Sequence, residues 1–291
     1  MNMLRTEIGN SERNREVHAV CPVCPHQCSL PEGQYGRCRA RKNEKGRIVS
    51  ASYGKITSLM LDPIEKKPLR HFYPGRNILS VGSFGCNLSC PFCQNHEISM
   101  AGEQQSDYRE ITPQELADLA DGYRKYGNIG IAFTYNEPLV GYEFVRDTAE
   151  LVHRYGMKNV LVTNGFAEDS VLDELLPLID AMNIDLKGFT ESYYRILGGK
   201  LETVKHFIIR ASKTCHVELT TLIVPGENDS EEEMEAEAKW IASVSPEIPL
   251  HVTRFFPRYH MTDRDATEVS RVYRLRDVAG RYLRHVYTGN C

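Results

Sequence analysis

The sequence predicts an incomplete, splayed (β/α)6 barrel preceded by a small cysteine-rich segment, and three observations carry that expectation. From about residue 77 onward, short apolar runs alternate six times with amphipathic stretches, the pattern of parallel βαβ units. A closed eight-unit barrel takes about 250 residues, whereas 77–291 leaves space for six units. The nine cysteines gather in two places, four within 21–38 and three within 86–93, and none falls between 94 and 214. A doubly wound open sheet is the alternative arrangement of the same units.

The chain divides into a polar leader over 1–18, a cysteine-rich segment over 19–53 and the barrel over 54–291. In the barrel, strands are expected at 77–83, 129–134, 158–163, 181–186, 216–224 and 250–255. Helices are expected at 112–126, 139–155, 168–178, 188–197, 201–213, 230–243 and 266–282. The first of these has the clearest start. Thr112 suits the N-cap, Pro113 the first turn, and Glu115 completes a capping box.

Composition narrows the function classes. A formal net charge of -4 gives no concentrated positive field for phosphate, which argues against nucleic acid as a partner. The N-terminus has no apolar signal region, and no apolar run approaches the roughly 18 residues of a membrane span. A cytoplasmic protein is expected, and in a reducing compartment clustered cysteines point to metal or catalysis before disulfides.

The sharpest motif is Gly85-Cys-Asn-Leu-Ser-Cys-Pro-Phe-Cys-Gln-Asn95, directly after the first barrel strand. Active sites of α/β barrels lie at that end of the strands. Cys86, Cys90 and Cys93, spaced C-x3-C-x2-C, can bind three irons of a cubane and leave the fourth open, whereas four cysteines saturate such a cluster. The N-terminal set, Cys21, Cys24, Cys28 and Cys38, has a full complement of four. It suits tetrahedral zinc or a second [4Fe-4S] cluster equally, with His26 able to replace one thiolate. Cys215 and Cys291 read as a core thiol and a terminal thiol.

The loop resembles the signature of the radical S-adenosylmethionine (SAM) superfamily, C-x3-C-x-aromatic-C, and the likeness extends over about 77–260. It implies a partial (β/α)6 radical SAM barrel, a [4Fe-4S] cluster on Cys86, Cys90 and Cys93, and SAM bound at the open iron. It further implies reductive cleavage of SAM to a 5′-deoxyadenosyl radical that takes a hydrogen atom from substrate. Phe92 would pack near the adenine. Asn136-Glu137-Pro138 stands where the superfamily has a Gly-Gly-Glu segment contacting the SAM amino group. Thr163-Asn164-Gly165 and Asp185-Leu-Lys187 resemble segments of glycyl radical enzyme activases. By that resemblance Asn164 contacts the ribose, Lys187 the SAM carboxylate, and Asp185 with Thr163 a monovalent cation, although Val162 replaces an acidic ligand of that cation. Arg254, at the end of the sixth strand, can clamp a carboxylate of SAM or substrate.

A narrower resemblance spans nearly the whole chain. It is to the radical SAM member of the AmmeMemoRadiSam system, which is pyruvate formate-lyase activating enzyme-like. It rests on Cys21-Pro-Val-Cys-Pro-His-Gln-Cys28, Pro63-Ile-Glu-Lys-Lys-Pro68, His71-Phe-Tyr-Pro-Gly75 and Thr134-Tyr-Asn-Glu-Pro138. It implies a reductant such as flavodoxin or ferredoxin, and a substrate that is a partner protein, a small molecule or another macromolecule. A non-catalytic, metal-stabilised binding protein is the reading from a different class.

Overall fold

The computed structural model describes residues 18–291, so the leader expected over 1–18 lies, His18 apart, outside the described residues. The centre of the molecule is one eight-stranded sheet. Its strands are β1 (Ser58–Pro63), β2 (Asn77–Gly82), β3 (Asn128–Phe133), β4 (Lys158–Thr163), β5 (Ala181–Asp185), β6 (His216–Ile223), β7 (Leu250–Arg254) and β8 (Val286–Gly289). They lie side by side in chain order. β1 runs antiparallel to β2, and every other pair is parallel.

That order decides between the two expected architectures. A doubly wound sheet reverses its strand order at a switch point; this one never does. Right-handed crossovers that always step the same way place their helices on one face, and the sheet curls as a barrel wall. β1 and β8 do not pair with each other, so the wall stays open.

Besides one turn at His96–Ser99, the helices among the described residues are α1 (Pro113–Gly122), α2 (Tyr142–Arg154), α3 (Asp169–Leu175), α4 (Glu191–Leu197), α5 (Leu201–Ala211), α6 (Glu231–Val244) and α7 (Val269–Ala279). The capping box at Thr112 forms as expected, with side chain and backbone exchanged between Thr112 and Glu115. Two expectations need correction. The sheet holds two strands beyond the six, because β1 carries Asp62 and Pro63 and β8 is only Val-Tyr-Thr-Gly, neither of which repeats the apolar pattern. The stretch expected as one helix from 139 opens instead with a 3-10 turn, Pro138–Gly141, before α2.

Alternate strand residues supply two cores, as the period of 2 requires. Leu79, Ile131, Leu161 and Met182 face the helices, while Ile78, Ala132, Val160 and Ala181 face inward. Ile64 and Leu69, from the connection between β1 and β2, close the inner core near the N-terminal ends of the strands. The other ends remain free for a site.

The cysteine-rich residues pack against this wall through specific contacts. Arg41, 3% exposed, ion-pairs with Glu143 of α2 at 2.6 Å. His26 Nε2 meets the Asn87 carbonyl oxygen at 2.9 Å, and Glu168 N–H donates to the Val23 oxygen at 3.0 Å.

Candidate functional site

The loop after β2 is held by the loops after β3 and β7 and by the end of α4. Asn136 accepts from Ser83 N–H (2.9 Å) and donates to the Phe84 and Gly85 oxygens (both 3.1 Å). Asn95 donates to the Tyr135 oxygen at 2.7 Å. Ser89 N–H donates to the Leu197 oxygen, and His260 N–H to the Pro91 oxygen. Gly85 has φ +86°, and a Cβ there would lie 2.4 Å from the Cys38 oxygen, so only glycine fits where the two cysteine segments touch. Tyr135 adopts φ +73°, a costly geometry for a side chain of its size. Its hydroxyl donates to Asp62 at 2.8 Å, and Lys67 Nζ, bonded to the same carboxylate, stands over its ring.

Within the loop, Cys86 Sγ accepts from Leu88 N–H (3.4 Å) and Asn164 Nδ2 (3.6 Å). Cys86, Cys90 and Cys93 lie within one another's electrostatic field. Burial pushes the Cys86 thiol well above its ordinary pKa and Glu137 adds to the effect. Burial likewise raises Cys90 to about 11, against the opposing pull of Lys187. These are neutral thiols that give up protons when metal binds. All nine cysteines are free. Among the described residues no three His, Cys, Asp or Glu side chains are arranged to hold one metal ion.

The later strand ends bring most of the expected residues to this loop. Glu137 Oε1 accepts from Thr163 Oγ1 (2.6 Å) and Leu139 N–H (3.0 Å), and Oε2 accepts from Asn164 N–H (2.8 Å). Its carboxyl is raised to about 7 by burial, which these three donors only partly offset. Glu137 therefore reaches the cysteine loop through Thr163 and Asn164. Lys187 Nζ pairs with Asp185 at 2.9 Å. Burial opposes its charge, but Asp185 and Cys90 outweigh burial and hold the ammonium well above its usual pKa. Phe92 is buried between Tyr193 and Phe255, with both ring centroids at 6.5 Å. Arg254 turns toward its own C-terminal loop, donating to the Thr267 oxygen at 2.7 Å and lying over Phe256. His71 and Tyr73, from the His71–Gly75 motif, are not beside the cysteines. His71 contacts Tyr287 and His285 near the N-terminal ends of the strands.

Sequence reasoning passed over Asn87, which sits inside the loop. It donates to the Phe166 oxygen at 2.6 Å and accepts from Asn164 Nδ2 at 2.9 Å. It passed over Asn228 as well, which supports the strand-five end by donating to the Lys187 oxygen at 2.9 Å. Nothing local marks either residue; their partners are distant in the chain.

Of the nearby carboxylates, Glu137 is occupied by three donors, and Asp185 engages Lys187 through Oδ2. The three-thiol loop thus lies at the C-terminal ends of the strands, the end at which α/β barrels carry their active sites. The family model of the radical SAM superfamily matches residues 80–238, and the chain belongs to that superfamily. Membership implies a [4Fe-4S] cluster and SAM as cofactors.

The uncharacterized protein MJ0808 of Methanocaldococcus jannaschii is 40% identical over 273 residues, covering 93% of this chain and 80% of its own. Pyruvate formate-lyase 1-activating enzyme of Escherichia coli K12 is 29% identical over 158 residues, covering 51% of this chain and 61% of the enzyme. The chain thus resembles pyruvate formate-lyase activating enzyme over about half of its length, and spans less than two thirds of that relative. Among solved structures, Streptococcus suis SuiB bound to S-adenosylmethionine shares the fold with a TM-score of 0.57 at 13% identity, over 71% of this chain and 48% of SuiB. No helix among the described residues is long and apolar enough to cross a membrane.

Proposed function

We propose that the chain is a radical SAM enzyme of the glycyl-radical-activating kind, with Cys86, Cys90 and Cys93 holding the [4Fe-4S] cluster. The observation that carries this reading is that the three thiols share one strand-end loop in which Asn164 donates to Cys86 and Lys187 acts on Cys90. When bound, the cluster and SAM supply a one-electron cleavage of the sulfonium that yields a 5′-deoxyadenosyl radical for hydrogen abstraction. The protein's part is to bind and orient. Asn164, fixed through its N–H by Glu137, donates to Cys86 and stands ready for a ribose hydroxyl. Lys187 places a positive charge beside Cys90, suited to the SAM carboxylate, and Asp185 steadies it. Asn136 and Glu137 shape the loop backbone from behind, and Phe92 offers an apolar wall for adenine. Thr163 with Asp185 would hold the cation, and Arg254 would turn from Thr267 to clamp a carboxylate.

A glycine of a partner protein is the favoured substrate. The edges of β1 and β8 do not pair, and with the gap between them bridged by His71 and Tyr287 near the N-terminal ends of the strands, a peptide loop would enter from the C-terminal side. Met60, opposite inward-facing Ser80 and 59% exposed, offers that loop an apolar contact. A flavodoxin or ferredoxin would deliver the electron, in the reducing cytoplasm that nine free cysteines suit.

The test is anaerobic reconstitution, reduction by dithionite and quantitation of 5′-deoxyadenosine. Product is expected from the native chain and not from Cys90→Ala, whose far-ultraviolet circular dichroism should keep the barrel signature. A fully loaded, reduced native protein that forms none would end the enzyme reading in favour of a metal-stabilised binding protein. A glycyl radical doublet in electron paramagnetic resonance, on incubation with a glycyl radical enzyme, supports the protein substrate. Product without the doublet turns the reading to a small molecule or another macromolecule.

A further inference from the structure

We infer that the cations Arg37, Arg39, Arg195 and Lys200 form the docking surface for an acidic one-electron carrier protein, on the flank of the cysteine loop. The inference rests on the reading above, which calls for an electron at the cluster of Cys86, Cys90 and Cys93.

The four residues come from two segments that meet. Gly198 ends α4 with φ +79°, and a Cβ there would lie 2.6 Å from Arg37 Nη2, so the guanidinium packs against the bare turn. Arg195 stands in the last turn of that helix, and Lys200 follows two residues after Gly198. Arg39, at φ +65°, folds back and donates to the Arg37 carbonyl oxygen at 3.4 Å. Arg37, Arg195 and Lys200 are exposed, and Arg39 is half-buried. Ile196, 61% exposed, adds an apolar group beside Arg195.

Both segments are tied to the cysteine loop, one at each end of it. Ser89 N–H, next to Cys90, donates to the Leu197 oxygen at 2.8 Å. A Cβ on Gly85, next to Cys86, would overlap the oxygen of Cys38, the residue between Arg37 and Arg39. A carrier seated on the four cations therefore lies against the backbone that holds Cys86 and Cys90.

Charge says what covers this surface. Nearby lysines have partners, Lys205 in Glu202 and Lys55 in Glu103. Among the described residues, Arg37, Arg39, Arg195 and Lys200 have no carboxylate partner. Like charges gathered in this way repel one another. The carbonyls at the end of α4 offset only about half a unit charge of the four. The chain as a whole has a formal net charge of -4, which repels an acidic protein. A local cluster of unpaired cations is what steers such a partner to one place.

The test compares two reductants on the reconstituted full chain, native and as the Arg37→Glu, Lys200→Glu double variant. Reduced flavodoxin of net negative charge is mixed in anaerobically, and cluster reduction is followed by stopped-flow absorbance. Dithionite, which needs no docking surface, is the control. The flavodoxin rate constant is expected to fall about tenfold in the variant, and the native rate to fall as salt rises, because steered association depends on ionic strength. The fraction of cluster that dithionite reduces, and dithionite-driven 5′-deoxyadenosine, should not change. Equal flavodoxin rates in the two proteins, or a native rate indifferent to salt, would overturn the inference. So would a variant that dithionite also fails to reduce, since the cations would then support the loop instead of a carrier. Should charge reversal prevent loading, Arg195→Gln with Lys200→Gln takes its place, with a fall of about threefold expected. Native protein that yields no 5′-deoxyadenosine with dithionite ends the function proposed above and this inference with it. Product with dithionite, but no flavodoxin difference between native and variant, ends the inference alone.

Discussion

The two ends of the parallel strands each bury a glutamate, and each end treats it differently. Glu137, at the C-terminal end, is 3% exposed and receives one hydroxyl and two backbone N–H donors, all neutral. Burial prevails there, and the carboxyl rises to about 7. Glu218, near the N-terminal end, is wholly buried and receives four donors. These are the N–H groups of Arg70 (3.0 Å) and His71 (2.7 Å) and the imidazoles of His216 (2.9 Å) and His251 (2.7 Å). Burial alone would raise it too, but those partners outweigh burial and hold it far below the usual carboxylate range. Depth does not set the sign; the number and kind of donors do. The end that carries the cysteine loop keeps a carboxyl poised near neutrality, and the opposite end locks one as a structural anion.

That contrast can be broken at Glu218. Glu218→Gln leaves two imidazoles and two N–H groups facing a neutral amide, for a loss of about 3–5 kcal/mol in denaturant unfolding. A depressed carboxyl stabilises the fold above its unfolded pKa of 4.5, and that contribution disappears as pH falls through the depressed value. The variant should therefore lose the acid limb of the native stability profile. A limb of unchanged steepness would show that Glu218 is not the anchor.

Glu237 of α6 sharpens the comparison, being a buried acid with one hydroxyl donor, Thr221, and a carboxyl raised to about 8 by burial. A raised acid costs the fold stability as pH climbs from the unfolded value of 4.5 to the folded one. Glu237→Gln should gain about 1–3 kcal/mol at pH 7 and flatten the melting temperature across that window. A gain that is the same at pH 4 would assign the effect to packing instead.

The smallest change is expected at Glu137. By the same sign, native stability declines between pH 4.5 and about 7 on its account, and Glu137→Gln removes that slope, worth about 1–2 kcal/mol. The amide keeps an acceptor for Thr163 but weakens the grip on Asn164, so SAM affinity should fall more than melting temperature. Equal losses in both would make Glu137 a stability residue and erase the distinction between the two ends.

Much of the wall was legible because its signals are local. Lys158–Thr163 is a strand where the apolar run places one, and Thr112, Pro113 and Glu115 start α1 as their spacing says. The cysteine loop sits at a strand's C-terminal end for the same reason. β1 and β8 escaped because an edge strand with Asp62 and Pro63, or one of four residues, leaves no periodic trace. The roles at the site were legible only in part. Glu137, Thr163 and Asn164 come together as the motifs suggest, but nothing in the sequence indicates that Glu137 spends both oxygens on its neighbours.

By itself, then, the sequence determined the alternation of strands and helices and the two sets of cysteines, four in the first and three in the second. Each is written by residues a few positions apart, through repeat, capping and spacing. The tertiary structure alone decided that Asn87 bridges the two sets, that Arg41 Nε is left unpaired beside Cys21, and that Glu218 is bound by His71. Those pairings join residues brought together by the winding of the sheet, and burial and electrostatics act only once that winding has set the distances.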